Sequence, residues 1–241
     1  MTLDFIGGIL LTAAMVVNLN AVIGALAVSK SAKLVITTLV GLWVGLQVSL
    51  ATAGAFASAI TATVPLIGIM MAVPPVAVGI AAYVSPRART AMLALPTPLL
   101  IGLNFARVFG LFFLLLAASG RLGGPFPQFA GWGDVITGVA AVPLAYLAAR
   151  KVLSRAAAAT WNYFGAADLL LAVTLGTVSA NGFVLQLIDA GAGSQAIVQL
   201  PWSLIPTVLV PFYLILHGII FAQLRAGART SDGPFGKVAA A

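Results

Sequence analysis

Three ionisable side chains lie inside long apolar stretches of the sequence, namely Arg107, Asp168 and His217. An ionisable side chain near the middle of a bilayer costs roughly 2.5 kcal/mol or more, so each is a candidate functional residue. Counting along the helices places Asp168 and His217 at similar depths from one membrane surface, with Arg107 deeper. Because helical side chains tilt toward the N-terminus of their helix, Arg107 reaches toward the level of Asp168. We therefore predict an Arg107–Asp168 ion pair that leaves the membrane interior electrically neutral.

Further polar and aromatic residues occur at helical spacing around these positions. Residues that repeat at this spacing lie on one face of a helix. The pairs with such spacing are Asn104/Arg107, Trp161/Asp168, Tyr213/His217 and Trp43/Gln47. Asn18 and Asn20 are about 200° apart around their helix, so only one of them can face the same centre. The sequence thus predicts one ligand-binding site, built from Arg107, Asp168, His217, Asn104, Tyr213, Trp161 and Gln47.

Most catalytic and cofactor chemistry is excluded by what the chain lacks. It has no Cys, no Glu and a single His, which excludes disulfides, iron–sulfur clusters, thiolate zinc sites and bis-His haem. No Lys lies inside a predicted span, so a retinal Schiff base is excluded. The five Asp form no predicted cluster for a divalent ion, and there is no phosphate-binding loop motif. We predict no cofactor and no metal, and an enzyme that uses Asp168 and His217 as acid and base is the least favoured interpretation.

The elements that carry these residues have the composition of a membrane protein. Of 241 residues, 61% are hydrophobic and 7% are charged, whereas about 25% are charged in an average soluble domain. A bilayer core needs roughly 20 consecutive apolar residues in a helix. Seven stretches qualify, at 5–28, 34–56, 62–84, 92–118, 133–149, 161–181 and 203–224. The predicted fold class is an all-α integral membrane protein with one seven-helix domain over 1–224 and a short mobile tail over 225–241.

The basic residues predict the orientation of these spans. Ten of the twelve fall on one side if seven spans alternate, with Arg121 on the other side and Arg107 inside a span. The positive-inside rule then places the N-terminus outside and the C-terminus in the cytoplasm. The net charge of +7 therefore indicates the topology of the spans, and anionic headgroups of the lipid bilayer are its expected partners. No nucleic-acid partner is expected. The Ala-, Gly- and Leu-rich composition favours a bacterial inner membrane.

Small residues and one acidic residue predict how the spans pack and begin. Gly41 and Gly45 in span two, Gly102 and Gly110 in span four, and Gly165 and Gly176 in span six form stripes that favour packing within one bundle, with homodimerisation as the alternative. The segments 119–132 and 182–202 are the longest outside the membrane. Span five is the shortest and gains length from the apolar part of 126–132, and Asp134, just after the first of these segments, is interpreted as its N-cap.

Seven spans with an external N-terminus permit a 3+1+3 arrangement of two parallel repeats around a linker helix. This count and orientation resemble those of the SWEET sugar transporters. Residues 4–8 (Asp-Phe-Ile-Gly-Gly) and 134–138 (Asp-Val-Ile-Thr-Gly) are weakly similar to one another. Pro127-Gln128 lies in a predicted outer loop, whereas that family keeps its Pro-Gln pair inside a helix, so no family is assigned.

Two functions remain open at the level of sequence. The favoured one is binding or passage of a small solute or ion, in which Arg107 attracts an anionic or polar group and Asp168 competes for it or carries a proton. The alternative is a non-catalytic subunit that packs in a larger membrane complex. A closed ion pair that only fixes helix register, without any ligand, would also explain Arg107 and Asp168. His217 is either an interior histidine with satisfied hydrogen bonds or a proton carrier.

Overall fold

The computed structural model describes residues 2–58 and 66–227, and every regular element in those ranges is helical. The α-helices are α1 (Thr2–Ala25), α2 (Lys30–Thr52), α3 (Ala55–Ser58), α4 (Leu66–Val84), α5 (Pro86–Leu93), α6 (Thr97–Leu103), α7 (Leu111–Ala118), α8 (Phe126–Ala149), α9 (Arg155–Val178) and α10 (Val210–Gly227). Two 3₁₀ segments, Asn104–Gly110 and Gln195–Val198, and one π segment, Ile205–Leu209, complete the order. The predicted tail beyond residue 227 and the start of the third predicted span lie outside the described residues.

Six of the described helices are long and apolar enough to cross a membrane: Thr2–Ala25, Lys30–Thr52, Leu66–Val84, Thr97–Ala118, Phe126–Ala149 and Ile205–Gly227. The prediction of an all-helical, multi-pass membrane protein is consistent with this architecture. The predicted sixth span corresponds to α9, which has 24 residues but is not among the six. Polar residues within α9, including Asn162 and Asp168, lower its mean hydropathy.

Serine caps explain where three helices begin. The hydroxyl oxygens of Ser29, Ser85 and Ser154 accept hydrogen bonds from the backbone N–H three residues later, at 3.1–3.2 Å. Each serine lies immediately before its helix, so it satisfies one of the N–H groups that have no partner inside the helix. These caps mark the ends of α2, α5 and α9 at which Lys30, Arg87 and Arg155 lie.

The helix over Thr97–Ala118 is interrupted in its middle by a tighter turn. Residues Asn104–Gly110 form a 3₁₀ segment between α6 and α7. Short 3₁₀ stretches inside long helices often mark functional or strained positions. Asn104, Arg107 and Gly110 are all buried on this segment, which packs along α8 because Gly138 of α8 lies close to its backbone. The 3₁₀ segment therefore contains Arg107, the residue predicted to form an ion pair with Asp168.

Helix α8 begins earlier than the fifth predicted span. It starts at Phe126, so 126–132 belong to the helix and not to an external segment. Pro127 and Gln128 consequently lie in its first turn. The interpretation of Asp134 as an N-cap is wrong, since Asp134 lies eight residues after Phe126, two turns inside the helix.

The glycine stripes have different roles in different helices. A Cβ atom at Gly102 or Gly176 would lie 3.5 Å from Ala145 or 3.2 Å from Phe126, respectively, so these glycines sit in helix contacts as predicted. Gly41 and Gly45 have no described atom within 4 Å of such a Cβ. The prediction that Gly41 and Gly45 pack within the bundle is therefore wrong, because that face of α2 points away from the described helices.

One end of the bundle is closed by Trp202, which is fully buried. Its ring packs against Gly7 of α1, where any side chain would overlap it. Its indole N–H donates to the Asp4 Oδ1 atom at 2.6 Å, and Arg121 donates to the same oxygen at 2.7 Å. At the opposite end, the Gln223 amide donates to the carbonyls of Leu93 and Leu95 and accepts from Thr97. These contacts fix the bundle on both sides of the central polar cluster.

Candidate functional site

The Arg107 guanidinium is the centre of a buried polar cluster. Its Nη2 atom donates to Asp168 Oδ2 at 2.6 Å, so the predicted Arg107–Asp168 pair is present. Its Nε atom donates to Asp134 Oδ1 at 2.7 Å. Its Nη1 atom donates to the Gly165 carbonyl at 3.0 Å and contacts His217 Nε2 at 3.1 Å. Four of the five N–H groups of Arg107 are therefore engaged, and its side chain is only 1% exposed.

Asp134 is the principal site residue that the sequence reasoning missed. Because span five was predicted to begin at residue 133, Asp134 was placed at the membrane surface. The start of α8 at Phe126 instead places Asp134 about 12 Å along the helix. The apolar residues of 126–132 were the signal that could have placed it correctly. Gly110 makes room for Asp134, since a Cβ atom at Gly110 would overlap its carboxylate.

His217 is held by two hydrogen bonds to Asn162 as well as by Arg107. The guanidinium can only donate, so His217 Nε2 accepts from it and carries no proton. His217 Nδ1 then carries the proton and donates to Asn162 Oδ1 at 2.7 Å. The Asn162 amide returns a hydrogen bond to the His217 carbonyl at 3.1 Å. His217 is therefore a neutral interior histidine whose ring nitrogens are both bonded, and neither nitrogen contacts Asp168.

The other predicted residues divide between the cluster and its surroundings. Tyr213 lies beside the cluster, with its ring centroid 5.8 Å from the Arg107 Cζ atom, and its hydroxyl accepts from Asn18 at 2.9 Å. Asn18 is thus the asparagine of α1 that faces the centre, whereas Asn20 is bonded to its own helix. Trp161 packs on the His217 ring and donates to the Thr137 carbonyl.

Asn104 and Gln47 are buried but do not bind Arg107. The Asn104 amide donates to the Leu100 carbonyl at 2.9 Å, and its Oδ1 atom has no hydrogen-bond partner among the described residues. Gln47 of α2 faces Met70 of α4, with 3.6 Å between its amide nitrogen and the sulfur. Gln47 therefore lies outside the cluster, on the side of α2 and α4.

The cluster carries more negative than positive charge. Arg107 supplies one positive charge and Asp134 and Asp168 supply two carboxylates, while His217 is neutral. With both carboxylates ionised, the centre has one surplus negative charge. A buried charge without a counter-charge is strongly unfavourable, so one further positive charge, such as a proton on a carboxylate, would balance this cluster.

The two carboxylates face different openings. Asp134 lines an apolar cavity of about 90 Å³ that lies among α4, α8, α9 and the π segment. Asp168 lines a groove of about 570 Å³ along the outside of α8 and α9. The Arg107 guanidinium lies between the two carboxylates. The centre is therefore reached from an internal cavity on one side and from the flank of the bundle on the other.

A comparison with protein-family models identifies the family. Residues 64–225, about two thirds of the chain, match the family described as Domain of unknown function (DUF8737). The chain belongs to this family. The DUF8737 match includes all charged members of the cluster together with Asn162 and His217, whereas α1 and α2, with Asn18 and Gln47, precede it. No curated protein and no solved structure gives a significant match to the chain.

Proposed function

We propose that this protein binds a small cation at the Arg107 centre and carries it across the membrane. The observation that carries the proposal is the pairing of one buried guanidinium with two carboxylates, at 2.7 and 2.6 Å. Intramembrane ionisable residues commonly mark ion, proton or substrate pathways. A proton or a monovalent cation that binds here would neutralise the surplus negative charge. The net charge of the site therefore depends on whether the cation is bound.

The geometry favours a cation over the anionic solute expected from Arg107 alone. An anion would have to compete with two carboxylates that already hold the guanidinium. It would also add a second surplus negative charge to a buried site. Asp134 and Asp168 therefore serve as the binding groups. Arg107 holds them at a fixed separation and balances one of their two negative charges.

The proposal includes seven spans, with α9 as the additional one. At 1.5 Å per residue, the 24 residues of α9 extend about 36 Å, enough to cross a bilayer core. Its polar residues Asn162 and Asp168 face the cluster, whereas Leu170 and Leu171 are exposed on its outer side. With seven spans, we propose an external N-terminus and a cytoplasmic C-terminus in a bacterial inner membrane, which is the orientation that the positive-inside rule favours. The same count permits the 3+1+3 arrangement of repeats.

Transport of cations by purified protein in liposomes tests this function. We expect protein-dependent uptake of one of three probes: protons, followed by an internal pH dye, ²²Na⁺ or ⁸⁶Rb⁺. Asp168→Asn and Asp134→Asn should each lower the initial rate at least tenfold, because each removes the surplus charge. Asp189→Asn, which neutralises an exposed carboxylate in the connection before α10, is the matched control and should leave the rate unchanged. Equal rates in wild type and both cluster variants would overturn the proposal.

A second function, as a subunit of a larger membrane complex, is favoured by the outer helices. The faces of α2 and α4 carry large exposed hydrophobic residues, including Leu34, Leu42, Ile80 and Tyr83. Lipid would cover such a surface, and so would a partner protein. Native mass spectrometry of the chain expressed alone distinguishes the two. We expect a stable, monodisperse particle if the protein is a carrier, whereas a subunit should aggregate unless a host protein co-purifies with it.

A further inference from the structure

The groove beside Asp168 is a second opening to the charged cluster, and it lies on the flank of the bundle. We refer to it as the lateral groove; its walls come from α8 and α9 and include Phe129, Trp132, Gly133, Ile136, Phe164 and Asp168. Its volume of about 570 Å³ is in the range of sites that hold drug-sized molecules. Apart from Asp168 and Gln128, its lining side chains are apolar or aromatic. The groove therefore combines an apolar surface with a single carboxylate.

One oxygen of Asp168 is directed into this groove. The Asp168 residue is only 8% exposed, and its Oδ2 atom is bound to Arg107. Its Oδ1 atom accepts no hydrogen bond from any part of the chain that the structure describes. This atom lies over Gly133, where a Cβ atom would overlap it. The absence of a side chain at Gly133 thus leaves an unpartnered carboxylate oxygen accessible from the groove.

Three aromatic residues line the same groove as Asp168 and are open to the surroundings of the bundle. Phe129, Trp132 and Phe164 are 55%, 54% and 45% exposed. Aromatic faces attract cations, most strongly Trp, and attract apolar groups as well. An organic cation could therefore place its charged group on Asp168 and its apolar body against the three rings.

The depth of Asp168 along α9 argues against a lipid headgroup as the occupant of the lateral groove. Asp168 is 13 residues after Arg155 and 10 residues before Val178, which is about 20 and 15 Å along the helix. If α9 spans the membrane, Asp168 lies near its midplane, far from the headgroups. A bare inorganic ion is also disfavoured in this groove, because hard ions need several oxygen ligands and the groove offers one carboxylate oxygen.

We infer that the lateral groove binds a lipophilic organic monocation, which enters from the bilayer and pairs with Asp168 Oδ1. This inference rests on the proposed cation site at Arg107 and goes beyond it by adding a second class of occupant, an organic cation that reaches Asp168 from the lipid. The bound cation supplies the positive charge that the Arg107–Asp134–Asp168 cluster lacks. The exposed aromatic wall gives it a path from the lipid that does not cross a polar surface.

Binding of radiolabelled tetraphenylphosphonium to the full chain in phosphatidylcholine nanodiscs tests the inference. We expect saturable binding, with an affinity at least tenfold lower in Asp168→Asn. Trp132→Leu removes an aromatic wall without touching the charges, and it should lower the affinity about threefold to tenfold. The controls are Asp189→Asn, on an exposed connection, and Tyr146→Leu, which removes an aromatic ring that is 62% exposed on α8 outside the groove. Both controls should bind as wild type does.

The outcomes separate this inference from the function it rests on. Absence of saturable binding to wild type overturns the inference, as does equal affinity in wild type and Trp132→Leu. Trp132→Leu retains every charge of the cluster, so it still decides the question if Asp168→Asn does not fold. If proton, ²²Na⁺ or ⁸⁶Rb⁺ uptake depends on Asp168 while tetraphenylphosphonium does not bind, the proposed function stands and the lateral groove does not bind organic cations. If neither uptake nor binding depends on Asp168, both proposals fail.

Discussion

Arg107→Met is expected to destabilise the folded protein more than any other single substitution of a charged residue considered for this chain. The change leaves Asp134 and Asp168 buried without their shared counter-charge and leaves His217 Nε2 without a donor, and it removes the second hydrogen bond to the Gly165 carbonyl, which also accepts within α9. Removing one partner of a buried ion pair costs about 3–5 kcal/mol, because the remaining charge stays desolvated. Unfolding by SDS titration in mixed micelles would measure this loss.

A charge-free variant shows whether the loss arises from the unpaired carboxylates. The triple variant Arg107→Met, Asp134→Asn, Asp168→Asn removes all three formal charges, so we expect it to be more stable than Arg107→Met alone. Arg121→Met is the matched control, because Arg121 pairs with Asp4 on a surface where the two side chains are 34% and 39% exposed. Such exposed pairs contribute about 1 kcal/mol or less. A loss of similar size in Arg107→Met and Arg121→Met would contradict this account of the cluster.

Gly138→Ala is expected to loosen the contact between α8 and the segment that carries Arg107. A Cβ atom at Gly138 would lie 2.8 Å from the Val108 nitrogen and 3.1 Å from the Phe105 carbonyl oxygen. These are backbone atoms of the 3₁₀ segment, so no side-chain rotation can relieve the overlap. Overpacking of this kind costs typically about 1–3 kcal/mol. Because Arg107 and Asp134 lie on the two displaced elements, the same change should lower cation uptake.

Gly41→Ala is the control for Gly138→Ala, since it adds the same methyl group to another long helix. No described atom lies within 4 Å of a Cβ atom at Gly41. Alanine favours a helix over glycine by up to about 1 kcal/mol, so the control should be neutral or stabilising in the same SDS titration. Destabilisation of Gly41→Ala as large as that of Gly138→Ala would mean that the α2 face is packed against another molecule in the membrane.

The sequence by itself determined the all-helical architecture, with helices long and apolar enough to cross a membrane, and one of the two ion pairs of Arg107. In lipid, the backbone N–H and C=O groups of a long apolar stretch can all form hydrogen bonds only in a helix or a closed barrel. The length of each apolar stretch then gives the approximate length of the helix. The Arg107–Asp168 pair also followed from sequence, because an isolated charge in an apolar interior requires a counter-charge and only a few residues could supply one. Helical angles alone limited the centre to one of Asn18 and Asn20.

Only the tertiary structure decided what else surrounds that pair. Asp134 lies in the cluster because α8 begins at Phe126. The ends of a helix depend on local turn geometry, so composition locates them only to within a few residues. Asn162 belongs to the cluster because α9 packs against α10, and this packing places its amide against His217. The glycines show the same limit: Gly138 and Gly41 are alike in sequence, but Gly138 faces a neighbouring backbone whereas Gly41 faces no described atom. Helical periodicity defines the faces of each helix, whereas the packing of side chains between helices decides which face is buried and which polar groups meet there.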